Sequence, residues 1–372
     1  MTSRNVLLMF TVVFVLTLIV VALREQASEV TVWDVSEEWS SSAHADRTAE
    51  SFVHWDEEDP PSIPPVCARC HSYYGFADFL GADGSAAGVV DAEAKAGSVL
   101  FCTTCHNEVA PAYRTVEFPS GAQVETQGFE ALCMTCHHGR ESTDGLDAAT
   151  VGKPVDEPIE NQGFVNPHYF VAAATQAGGE AQGGYQYEGR TYVPRFEHTE
   201  TMDTCIECHN PHSLRIDPKT CSPCHANVVE YADLGGVRQS EPDYDGDGDA
   251  TEGIVFEIQA LHALLYDAMR DYAASVLGAP IVYHPENHPY YFVDSNGDGR
   301  ADGGEAVSAN RYVLWSPRLL RAAYNYQFVA KDPGGFVHGP QYQLQLLYDS
   351  LQDLSERVSV EMAGLVRPSR AE

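Results

Sequence analysis

The chain of 372 residues is long enough for one large domain or two ordinary ones, and its formal net charge is −32. So acidic a surface excludes a nucleic-acid or anionic-lipid partner and would steer a basic one at low ionic strength. Only four of its 22 basic residues are lysine, a bias that also fits solubility in a saline habitat.

The chain opens Met1-Thr-Ser-Arg4 and then runs apolar from Val6 to Leu23, interrupted only by Thr11 and Thr17. A run of this length reaches the lower range for a membrane span. A signal peptide competes, because Val20-Val21-Ala22 offers a small-residue cleavage site. The run is long for that purpose, however, and Arg24-Glu25 follows at once. An uncleaved anchor over 1–24 is the expectation. Residues 25–66, dense in Glu and Ser, read as a tether, with DEEDPPSIPP at 56–65 running extended.

Between 67 and 225 all ten cysteines fall into five Cys-x-x-Cys-His motifs: CARCH at 67–71, CTTCH at 102–106, CMTCH at 133–137, CIECH at 205–209 and CSPCH at 221–225. Thiols at this spacing can each add to one vinyl group of a single haem, and the adjacent histidine is carried beneath the ring to bind the iron. The covalent positions are Cys67, Cys70, Cys102, Cys105, Cys133, Cys136, Cys205, Cys208, Cys221 and Cys224; the proximal ligands are His71, His106, His137, His209 and His225. Zinc sites use such pairs in twos and would strand one. A disulfide framework leaves the histidines unexplained, and a thioredoxin-like motif would be single. Five haem c groups in so short a stretch cannot sit in a normal apolar core, so the porphyrins must fill much of the interior. Haem c is attached outside the cytoplasm, which places the chain on the extracytoplasmic side, periplasmic or at the cell surface, held to the membrane by its N-terminal segment.

Ten further histidines are available as sixth ligands, whereas only Met202, Met269 and Met362 are sensibly placed rivals. Bis-histidine coordination follows as the expectation. His212 lies three residues after His209 and cannot reach the far side of its own haem, and His198, seven residues before Cys205, is placed similarly. His168 in NPHYF and His338 in FVHGP stand at expected helix starts, while His44 and His54 lie in the tether. These six are the distal candidates. His138 adjoins a ligand and should splay away from that iron. His262, near an apolar helical stripe, is equally a core residue or a ligand, and His284 and His288 flank prolines in a loop.

Residues 226–372 contain no cysteine and read as helical. Ile254, Ile258, Leu261, Leu265, Met269, Tyr272 and Val276 have helical spacing, stopped by Gly278 and Pro280. A second helix is expected from the Ser316 cap and Pro317 to about Lys331. A third begins near Pro340 with Leu344, Leu347, Leu351, Leu354 and Val358 on one face.

DSNGDGRADGGE, 294–305, fits a twelve-position calcium loop, with Asp294, Asn296, Asp298, the Arg300 carbonyl, Asp302 and Glu305 as ligand positions and Gly299 at the sharp turn. DYDGDGDATE is a partial match through Asp243, Asp245, Asp247 and Asp249; Ile254 occupies the closing position, so Glu252 or Glu257 must substitute. One calcium is expected, and a second is possible.

The stretch 321–351 resembles an element of large multihaem cytochromes, the group of ammonia-forming nitrite reductases, octahaem hydroxylamine oxidoreductases and tetrathionate reductases. The matching residues are Asn325, Val337, His338, Pro340 and Tyr342, with Gly339 in place of the usual asparagine. The resemblance implies that His338 is a distal ligand; NPHY at 166–169 and CHNPH at 208–212 are similar to other segments carrying such ligands. The nitrite reductases commonly end one motif in lysine. All five motifs here end in histidine, so no catalytic role carries over.

The expected fold is mainly α with much irregular structure: a pentahaem domain over 67–225 and helices with calcium loops over 226–372 packed upon it. The expected function is a membrane-anchored relay of electrons between a quinol-linked donor or membrane complex and an unidentified acceptor. The alternatives are an oxidoreductase of a small nitrogen or sulfur oxyanion with one open haem, aided by Arg114, Arg140, Arg190 or Arg195, and an oligomeric subunit of an extracellular haem wire.

Overall fold

A computed structural model describes residues 31–199 and 201–369. The described chain is mainly helical, with long irregular stretches and three two-stranded antiparallel sheets. The apolar run 6–23, expected as an anchor, lies outside the described residues. Among the described residues no helix is long and apolar enough to cross a membrane.

Where composition suggests a tether, the chain forms helix α1 (Val32–Ser40) and the single turn α2 (Glu50–Val53). A capping box starts α1: the Thr31 hydroxyl accepts from the Asp34 amide while the Asp34 carboxylate accepts from the Thr31 amide. Trp39 Nε1 donates to the Leu100 carbonyl at 2.9 Å, which lays this segment against the chain just before the second CxxCH motif. Strand β1 (Ser62–Ile63) pairs with β2 (Ala94–Lys95) and leads into α3 (Pro65–His71), the first motif. Helix α4 (Tyr73–Leu80) follows at once, its Ser72 cap accepting from Tyr74 N.

The next motif lies on the single turn α5 (Cys102–Cys105). Strands β3 (Thr115–Glu117) and β4 (Gln123–Glu125) then form a hairpin in register Val116↔Val124. Helix α6 (Glu130–His137) carries the third motif, α7 (Thr143–Thr150) and α8 (Ala172–Ala177) follow, and α9 (Cys205–Cys208) carries the fourth. The fifth is a tight turn closed by the His225 amide donating to the Cys221 carbonyl.

Three long helices form the main core: α10 (Ile254–Ser275), α11 (Pro317–Ala330) and α13 (Pro340–Ser355), with strands β5 (Ile281–Tyr283) and β6 (Tyr291–Val293) after α10 and the turn α12 (Gly335–His338) before α13. Their buried faces are those the spacing predicts: Ile258, Leu261, Leu265, Met269 and Tyr272 on α10, and Leu344, Leu347, Leu351 and Leu354 on α13. Ser316 Oγ accepts from Leu319 N and Pro317 opens α11, as cap chemistry requires. Val358 lies past the end of α13, although it still packs on the core.

The core does not stop at residue 226. Val116, Phe118, Met134, Leu146, Val171, Ala174 and Tyr185 share one apolar cluster with Leu261, Trp315, Leu320 and Leu347. The buried Arg318 guanidinium adds a polar tie, reaching Asp156 at 2.9 Å and also Asp353 and Glu356. From the third motif onward, the haem-motif region and the C-terminal helices therefore bury surface against each other.

Candidate haem sites

Each proximal histidine faces one other imidazole. Ring centroids stand 6.4 Å apart for His137 and His44, 5.8 Å for His71 and His168, 6.1 Å for His106 and His212, 6.0 Å for His225 and His198, and 6.3 Å for His209 and His338. Two metal–imidazole bonds of about 2 Å, with about 1 Å from nitrogen to ring centre on either side, require a spacing of about 6 Å. All five gaps match that requirement, and all ten thiols are free of disulfides. The residues present therefore fit five covalently held haems.

Neighbouring atoms hold several of these rings in one tautomer. His71 Nδ1 donates to the Ser51 carbonyl at 2.8 Å, and His209 Nδ1 donates to the Leu214 carbonyl at 3.1 Å. A carbonyl can only accept, so Nδ1 carries the proton and the Nε2 lone pair is left for a metal. His338 Nδ1 donates to both oxygens of Asp332, at 2.8 and 3.0 Å. Burial holds the His137 and His168 imidazoles down at about 4 and also lowers those of His44 and His71, which keeps them neutral and able to ligate. Burial opposes protonation of His338 too, but the Asp332 carboxylate more than offsets it and lifts that ring above the ordinary value.

Short local geometry brings the distal rings in. Asn166 Oδ1 accepts from His168 N at 2.9 Å, and Asn210 Oδ1 accepts from His212 N at 2.9 Å, so both Asn-Pro-His segments share this side-chain-to-backbone contact, although only His168 has a positive φ, of 74°. His338 ends α12 rather than opening a helix, and Gly339 joins it to α13. A Cβ on Gly339 would meet the Thr175 carbonyl at 2.5 Å, and that atom is backbone of α8. The glycine is therefore required for the α12–α13 corner to approach α8, and the asparagine of the similar cytochrome element would not fit here.

The remaining histidines have other partners. His54 pairs with Glu50 at 2.7 Å and packs edge-on to Trp55, which in turn contacts His71; its ring faces no proximal histidine. His138 is buried, donating from Nδ1 to the Gly139 carbonyl and accepting from Arg69 at Nε2. His262 stacks on Tyr326 with centroids 3.9 Å apart and donates to the Tyr326 carbonyl at 2.8 Å, which makes it a core residue. His284 Nδ1 accepts from the amides of Glu286 and Asn287 in a turn, and His288 packs against Tyr290. Met269 is buried in the apolar face of α10.

The motifs cluster around the third. The Cys136 thiol lies near that of Cys70, Cys133 near Cys205, and Cys105 near Cys133. Cys208 is similarly near Cys221. Of the arginines singled out in the sequence, Arg195 binds the buried Glu130 at 3.0 Å, Arg190 contacts Gln352 and Asp349, and Arg114 contacts backbone carbonyls. The Arg140 charge acts on both His71 and His168. Trp55 and the Ser51 carbonyl are not legible as site residues, because each reaches His71 through tertiary placement, whereas Asp332 and the Leu214 carbonyl meet their histidines through local turns of six and five residues that carry no motif.

The two acidic loops have one geometry. Asp294 accepts from Gly297 N and Gly299 N at 2.6 and 3.0 Å, and Asp243 accepts from Gly246 N and Gly248 N at 2.6 and 2.8 Å. Glu305 closes the first by accepting from Ser295 N and Asn296 N. Glu257, from the first turn of α10, closes the second by accepting from Tyr244 N and Asp245 N. Carboxylate oxygens of Asp294, Asp298 and Glu305 converge within 4.8 Å, as do those of Asp243, Asp245 and Glu257, and those of Asp245, Asp247 and Glu252. Asp302 instead accepts from Gly304 N and Glu305 N, and Asp249 from Thr251.

No protein-family model matches the chain, and no solved structure matches it. Among curated proteins it is similar to C-type polyheme cytochrome OmcC of Geobacter sulfurreducens, 27% identical over 384 residues covering 84% of this chain and 45% of that protein. It is equally similar to C-type polyheme cytochrome OmcB of the same species, 27% identical over 385 residues, 84% of this chain and 47% of that protein. The chain spans about half the length of these relatives. The similarity and the five motifs together support the reading of the chain as a multihaem c-type cytochrome.

Proposed function

We propose that this chain is a pentahaem electron relay in which every haem iron is closed by two imidazoles. The observation that carries the reading is the set of five facing pairs, His71–His168, His106–His212, His137–His44, His209–His338 and His225–His198, all at 5.8–6.4 Å. Bound haem c would supply reversible one-electron chemistry at iron. The protein's part is to fix each ring by carbonyl or carboxylate contacts, to bury the pairs, and to crowd the CxxCH motifs together. The thiol contacts favour the order 71, 137, 209, 225, with the motif at 106 joining beside 137.

The relay works outside the cytoplasm, since haem c is attached there, and exchanges electrons with redox partner proteins rather than converting a bound substrate. Membrane attachment through residues 6–23 belongs to the same proposal, as does assembly with further copies. Carbon monoxide titration of the fully reduced protein tests it. Five irons, each held by two histidines, should bind none; one equivalent of adduct in the native protein would instead favour an oxidoreductase with an open haem.

A further inference from the structure

We propose that the Asp294–Glu305 loop holds one hard divalent cation of the calcium class. Asp294 and Glu305 are each only 6% exposed, yet their carboxylates and that of Asp298 converge within 4.8 Å. Buried anions at such a distance repel one another strongly unless a positive charge lies among them. Glu305 Oε1 is used by the Ser295 and Asn296 amides, but Glu305 Oε2 is buried and meets no donor. A buried carboxylate oxygen without a donor, set against two other carboxylates, is a coordination position. The nearest guanidinium, on Arg270, stands 3.9 Å from Asp294 and is no substitute at that distance. Backbone amides from 297 and 299 orient Asp294, and Asn296 and Asp298 are oriented by amides two residues on. The donors are thus held by their own loop in a twelve-residue frame, and oxygen is their only donor type.

The twin loop is an internal contrast. Its closing residue Glu257 is fully buried as well, but there Arg238 binds the second carboxylate oxygen at 2.5 Å. Arg238 also donates to the carbonyls of Ser240, Glu252 and Pro242, so a guanidinium already meets the negative charge. In the Asp294 loop the Arg270 guanidinium reaches only Asp294, at 3.9 Å, and Glu305 Oε2 is left without a donor, so the proposal is confined to that loop. A bound ion would fix the end of β6, where Asn310 Nδ2 donates to the carbonyls of Val293 and Glu305 at 2.8 and 3.0 Å.

The test uses the full-length haem-loaded protein, stripped with a chelator and re-equilibrated with calcium alone. Bound calcium is measured by elemental mass spectrometry and thermal stability by melting. Wild type should carry one more calcium per chain than the Asp298→Ala/Glu305→Gln variant, with a melting temperature that rises with calcium. The melting temperature of the variant should ignore calcium while its haem spectrum is retained. Equal calcium content in the two proteins overturns the proposal. If the double variant does not fold, Asp298→Asn and the wild-type titration decide it: wild type that gains neither calcium nor stability at millimolar calcium contradicts the site.

Discussion

Replacing His338 by alanine separates the coordination reading from ordinary packing. The imidazole faces His209 at 6.3 Å, and its Nδ1 satisfies a carboxylate, Asp332, whose side chain is 2% exposed. Its loss strands a buried anion, and leaving a buried carboxylate without its hydrogen-bond donor costs about 3 kcal/mol. Asp332→Asn in the same chain removes that charge, so the double variant should recover roughly 2 kcal/mol, a coupling that a denaturant double-mutant cycle reads directly. Spectroscopically, one haem of five should turn high-spin in the oxidised state and bind carbon monoxide once reduced, with all five still covalently attached. His262→Ala, which removes a core imidazole stacked on Tyr326, should lose stability but leave every haem low-spin. If His338→Ala keeps five low-spin haems and takes up no carbon monoxide, His338 is not a ligand and the argument from facing rings fails.

Mass spectrometry of the mature protein should show the added mass of five haems and no alkylatable thiol; four or fewer in fully matured protein would defeat the reading of every CxxCH as an attachment site. Burial lowers His262 to about 4, below its unfolded value of about 6.5, so the folded state binds fewer protons between those values. Stability should therefore be full above about pH 6.5 and fall as pH drops towards 4, by at most about 3 kcal/mol; His262→Phe should flatten that part of the profile, and an unchanged slope would contradict the assignment. Gly339→Ala places a methyl group 2.5 Å from the Thr175 carbonyl and should cost about 1–3 kcal/mol in chemical denaturation, whereas a neutral effect would show that the corner yields.

What could be read without coordinates was local. The CxxCH spacing is a local requirement of attachment, so its cysteines and histidines stand out in any fold. The Ser316-Pro317 start and the leucine stripe after Pro340 likewise specify their helices from within a few residues. Pairing of the distal rings is set by tertiary packing. His44 and His54 lie ten positions apart in one acidic segment, yet one comes to His137 while the other is held by Glu50, an i, i+4 neighbour, and by Trp55. Nothing in their sequence surroundings separates them. The helices at 32–53 are short, the first of them buries none of its residues, and contacts such as Trp39 to Leu100 belong to the packed chain. The second acidic loop is closed by Glu257 because the start of α10 swings back over it, a geometry that a twelve-residue template does not contain.

In the proposed relay all five irons are held between two histidines. Low-temperature electron paramagnetic resonance of the oxidised wild-type protein tests it without any substitution. Low-spin ferric signals should integrate to five haems per chain, with no high-spin component. A high-spin signal integrating to one haem per chain in fully loaded protein would contradict it.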